Sequence, residues 1–255
     1  MTYTPFQPRV FPIFIYYIFV SIFAVVVSIK MFKKWRERNV PPPLFLTLVF
    51  SFLTAALIIL SIGLAEAVIT GFYKEIYRIS LPLAYSMVVC ADIFLFIFAS
   101  HMINKGRGAF PLIILIGIIL IIILFLPWNW WGVPQEDYER ELSIRLYTTG
   151  SLVLFSYVIY CYIALICQKI KRNVEDKIMY IGLRLLFFSM ISLMLLFLML
   201  IMDTVMITFF NHPGYSEFTY IAWIFGLIFI VLSYLSLIMP EWLVKRIKKK
   251  YGINQ

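Results

Sequence analysis

Three carboxylates stand in stretches that are otherwise apolar: Glu66 in LAEAVITGF, Asp92 in MVVCADIFLF and Asp203 in LMLIMDTVMITFF. A carboxylate surrounded by hydrocarbon carries a heavy desolvation cost, so each must face protein, find a partner or stay protonated. Glu66 and Asp203 pair naturally in a first reading. Counted from the cytoplasmic starts of their segments, both lie roughly 23 to 25 residues along, which gives them the same depth at a helical rise of about 1.5 Å per residue. Their following strings, EAVITGF and DTVMITF, are also alike. Two acids at one depth make a site for a cationic ligand, a metal ion or a proton, because a bound cation relieves their mutual repulsion. The alternative is two interfacial acids hydrated from outside. A shared site predicts that Glu66→Gln and Asp203→Asn act non-additively.

Asp92 lies deeper. Helical spacing puts Tyr85, Val89, Phe96 and Ala99 on its face, with the Tyr85 hydroxyl as its nearest polar neighbour on the same helix. Arg184 is separated from it by only about 6 Å of depth and is within reach as a partner, the alternative being that Asp92 stays protonated. Such a pair either holds the bundle together or acts as a switch or ligand contact. Tyr147, Thr148, Thr149, Ser151, Ser156, Tyr157 and Tyr160 crowd one segment as interhelical hydrogen-bond partners or as the lining of a cavity. The candidate ligand-binding set is therefore Glu66, Asp92, Asp203, Tyr85 and Tyr157. His101 and His212 fall at opposite faces, so no metal site is expected. The sequence has no HExxH, GxSxG, Walker-type glycine loop or zinc-spaced cysteine pair, and neither catalysis nor a cofactor is expected.

The segments that position these residues are membrane spans. Of 255 residues, 63% are apolar, and the apolar runs are too long for strands and do not alternate. An all-α integral membrane bundle of seven transmembrane helices is expected, over about 11–29, 43–70, 80–102, 110–127, 142–167, 178–210 and 218–239. Residues 1–240 form one domain, and the first apolar run is expected to remain as a span, since no basic leader or cleavage site accompanies it. The net charge of +9 falls mostly in alternate loops, which points to topology and not to nucleic acid. Lys30, Lys33, Lys34, Arg36 and Arg38, together with QKIKRNVEDK, mark the cytoplasmic side. Trp128, Trp130 and Trp131, followed by Glu136, Asp137, Glu139 and Glu141, mark the outside. The N-terminus is then outside and the C-terminus cytoplasmic. Residues 241–255 read as a basic amphipathic tail along the inner leaflet, and Trp242, Lys245, Arg246, Lys248 and Lys249, with Arg184, are the candidate cytoplasmic interaction residues. Cys90, Cys161 and Cys167 are expected to be reduced and structural.

The closing segment has no lysine for a retinal Schiff base and no NPxxY, and the third span ends FASHMINKGRG without an acidic-arginine-aromatic triplet. Rhodopsins and G-protein-coupled receptors are therefore poor matches. An acid near the outer end of the second span (Glu66), a basic residue in the following turn (Lys74), an aromatic-rich third span and the closing YLSLIMPEWLVKRI resemble another group. It is the seven-helix N-terminal sensor region of prokaryotic histidine kinases and its stand-alone archaeal relatives. The resemblance implies a receptor-like module in the cell membrane that binds a small ligand or lipid among its helices and signals through a cytoplasmic partner. The competing readings are a small-solute or ion transporter built as a parallel repeat around the fourth helix, and a structural subunit of a membrane complex.

Overall fold

The computed structural model describes residues 3–38, 41–103, 107–126 and 142–252. Secondary structure among them is helical: α1 (Phe11–Arg38), α2 (Pro41–Thr70), α3 (Glu75–Ile103), α4 (Phe110–Leu124), α5 (Leu142–Arg172), α6 (Lys177–Phe210), α7 (Glu217–Ile238) and α8 (Glu241–Tyr251), with short 3-10 turns before α1 and α4. An isolated antiparallel bridge joins Pro5 to Phe72. Among the described residues, six helices are long and apolar enough to cross a membrane. Their outward faces carry bare aliphatic and aromatic side chains, such as Phe19 and Ile22 at 62% exposure and Leu154 at 67%. A continuous apolar exterior of this kind is solvated by lipid, not water.

Several boundaries lie beyond the expected spans. Helix α1 continues past residue 29 to Arg38 because KMFKKWRER is rich in good helix formers, and charge ends an apolar run without ending a helix. Helix α5 extends to Arg172 for the same reason. Helix α3 starts at Glu75, so Arg78 belongs to its first turn and not to the preceding loop. Helix α4 ends at Leu124, and its 15 residues rise roughly 22 Å, less than the hydrocarbon thickness of about 30 Å. The expected aromatic and acidic loop residues from Trp128 to Glu141 lie outside the described residues, as does Lys105.

Neighbour relations define a ring in the order α1, α2, α3, α5, α6, α7 and back to α1, with α4 outside it against α3 and α5. Replacing α1, α2 and α3 by α5, α6 and α7 maps this ring onto itself, which is the arrangement a parallel repeat with an intervening helix requires. Small residues allow the closest approaches. A Cβ on Gly63 of α2 would stand 2.2 Å from Ser80 Oγ on α3, so only glycine fits that crossing.

The two ends of the ring are tied differently. At one end the N-terminal segment lies across both hairpin turns. The Phe6 N–H donates to Gly71 O at 2.8 Å, the Tyr73 N–H donates to Thr4 O at 3.0 Å, and Arg9 Nη2 donates to Gly214 O at 2.9 Å. The Tyr220 hydroxyl donates to Arg9 O. At the opposite end Lys34 Nζ of α1 donates to Leu237 O at 2.9 Å and Ile238 O at 2.6 Å, capping the last turn of α7 with a cation. Ser236 Oγ donates to Gly182 O at 2.7 Å, and α8 turns back there with Ile247 buried in contact with the bundle.

Candidate functional site

Glu66 and Asp203 each close their own hairpin. Glu66, near the end of α2, accepts the Tyr77 N–H from the first turn of α3 at 2.9 Å. Asp203, near the end of α6, accepts from Ser216, the residue that begins α7, through its N–H at 2.7 Å and its Oγ at 2.6 Å. Free amides at a helix start carry partial positive charge, so a carboxylate placed there is held by charge-assisted hydrogen bonds and the helix dipole. The likeness of the two strings thus corresponds to equivalent clasps in the two halves, and neither acid lines the central cavity.

Asp92 is 1% exposed and is engaged from α5: Ser156 Oγ donates to Oδ2 at 2.6 Å and the Tyr160 hydroxyl donates to Oδ1 at 2.7 Å. The candidate partner Arg184 is elsewhere, on the exposed face of α6 with its guanidinium over the Phe188 ring at 5.7 Å. Depth along the helix axis was compatible with pairing, but the facing direction was not. Two neutral donors satisfy the carboxyl oxygens without an opposing charge. Tyr157 likewise serves packing, its hydroxyl donating to Met194 O at 2.6 Å. Of the five expected ligand residues, Tyr85 alone borders the cavity.

That cavity, about 120 Å³, lies in the middle of the ring, walled by α1, α2 and α3 on one side and α6 and α7 on the other. Phe50, Phe197, Phe229 and Leu57 form much of its apolar surface, and Tyr17, Tyr85, Thr54 and Trp223 bring its polar groups. Tyr17 packs edge-on against Trp223 at 4.6 Å, and Phe50 lies parallel to Phe229 at 6.4 Å, so aromatic pairs bridge the two halves. Thr54 Oγ1 is within 2.9 Å of Ser28 Oγ and is thereby already paired. The Tyr85 hydroxyl makes no hydrogen bond among the described residues.

The tail residues adopt the expected helix. Ile247 is buried and Leu243 half-buried, whereas Trp242 is 56% exposed among Lys245, Arg246 and Lys249. Among the described residues no group of three or more His, Cys, Asp or Glu could hold a metal ion. Two features escaped the sequence reading: the N-terminal clasp and the Lys34 cap. The clasp works mainly through backbone atoms, and Lys34 had an apparent purpose already as a topogenic charge.

The fold and cavity define a helical bundle with the build of a multi-pass membrane protein. No protein-family model, curated protein or solved structure matches the chain.

Proposed function

We propose that this protein is a receptor-like seven-helix membrane protein that takes a small ligand into the central cavity and reports it at its cytoplasmic end. The observation that carries this reading is the cavity itself, set between the two halves and bordered by aromatic pairs that join them. A ligand seated there touches α1 and α7 together, the helices that Lys34 ties at the far end. Ligand-dependent repacking of Tyr17 against Trp223 moves α7 relative to α1 and so alters the connection through Met239 and Pro240 to α8.

The directions of the six long helices support a seven-span reading. The starts of α3 and α7 lie at the N-terminal end, and α5 must start there too, because the short turn after it leads into α6 at the opposite end. The end of α3 and the start of α5 thus lie at opposite ends of the bundle, which supports a crossing that includes α4. The basic ends of α1, α5 and α8 support a reading with the opposite end in the cytoplasm and the N-terminus outside. Trp242, Lys245, Arg246, Lys248 and Lys249 then face the inner leaflet or a cytoplasmic signalling partner.

Hydrogen exchange of full-length protein in lipid nanodiscs tests the reading. A cavity ligand should slow exchange in α7 around Trp223 and change it between Tyr234 and Leu243. A ligand that protects the cavity and leaves 234–243 unaltered would count against signalling. Transport is the second reading, favoured by the position of the cavity between two parallel-repeat halves; saturable solute flux in proteoliposomes would support it.

A further inference from the structure

We infer that the central cavity takes a neutral single-ring molecule carrying one hydroxyl or carbonyl oxygen, held by the Tyr85 hydroxyl. The inference rests on the cavity-ligand reading above and names the ligand's chemical class. Size sets the first limit: a 150 Å³ apolar cavity admits one benzene ring, and this one measures about 120 Å³. Charge sets the second limit. Glu66, Asp203 and Asp92 are all absent from the wall, so no carboxylate faces a cation there. The wall contains no lysine, arginine or histidine to neutralise an anion.

Polarity sets the third limit. Thr54 is already paired with Ser28, and the Trp223 Nε1–H is sealed away from accessible space. Of the two phenols on the wall, Tyr17 has the Trp223 Nε1–H beside its hydroxyl, whereas Tyr85 borders the cavity with a hydroxyl lacking a hydrogen-bond partner among the described residues. A hydroxyl both donates and accepts, so a ligand oxygen of either kind satisfies it. The apolar ring fills the space between Phe50, Phe197 and Phe229.

The test uses 19F NMR on full-length protein in nanodiscs with three probes: fluorobenzene, 4-fluorophenol and 4-fluorobenzylammonium. The expected result is saturable binding of the first two and none of the third, with 4-fluorophenol about tenfold tighter than fluorobenzene. Tyr85→Phe should abolish that preference while fluorobenzene still binds. Ala84→Leu, which adds bulk to the wall, should abolish binding of both, with thermal unfolding confirming a folded bundle. Preference for the ammonium probe, or an unchanged preference in Tyr85→Phe, would overturn the inference. Saturable binding of oleate with no single-ring probe bound would overturn it while leaving the cavity-ligand reading intact. No saturable binding of any of these probes would overturn both.

Discussion

The Tyr77 and Tyr215 hydroxyls meet 2.8 Å apart and join the first turn of α3 to the turn that precedes α7. This bond links the two halves at the end where the N-terminal segment also crosses them. The pair is partly buried, so removing one hydroxyl deprives the other of its partner where water has limited access. Tyr77→Phe and Tyr215→Phe should each lower stability by about 1 to 3 kcal/mol, and the double variant by less than their sum. Unfolding in mixed SDS micelles measures all three; strict additivity would mean that the bond carries no coupling.

Glu66 and Asp203 act on separate hairpins, and their substitutions should therefore add. Glu66→Gln and Asp203→Asn weaken charge-assisted bonds to helix-start donors and should each cost about 1 to 3 kcal/mol. The double variant should lie within about 0.5 kcal/mol of the sum. A larger departure would restore the shared acidic site that equal depth implied.

Alkaline pH should release the N-terminal clasp. Burial pushes the Tyr73 phenol up from 10.0 to about 12, against smaller lowering contributions from the Gln7 backbone and Arg9, and burial also holds Tyr215 well above its ordinary value. A folded value above the unfolded one means that the fold favours the neutral phenol. Its contribution is complete below pH 10 and disappears as pH rises through about 12. Proteolysis near residues 3–10 should accelerate over that interval, and Tyr73→Phe should flatten the dependence. Release that begins well below pH 10 would place its cause elsewhere.

Orientation has a direct test at two exposed positions. A cysteine at Glu217, beside the outer turn, should react with an impermeant thiol reagent in intact cells. One at Glu175, between α5 and α6, should react only after permeabilisation. The reverse pattern would invert the bundle.

These relationships divide according to what a linear sequence encodes. Length and apolarity locate helices, and rise per residue gives depth, so the equal depth of Glu66 and Asp203 was legible. Azimuth across the bundle was not. Arg184 had the right depth for Asp92 but faces outward, and the partners came from the fifth helix, where Ser156 and Tyr160 had been singled out as hydrogen-bonding residues without a stated partner. The cavity was hardest to foresee. Its walls are ordinary apolar residues from five helices, and only the presence of Tyr85 among the candidates touched it.

The central claim is that occupancy of the cavity moves the cytoplasmic end. The most direct measurement is the distance between spin labels at Glu37 on α1 and Lys249 on α8, both exposed, in full-length protein whose native cysteines have been replaced. Saturating 4-fluorophenol should shift that distance distribution in nanodiscs, and the shift should be absent in Ala84→Leu. An unchanged distribution with the ligand demonstrably bound would contradict the receptor account.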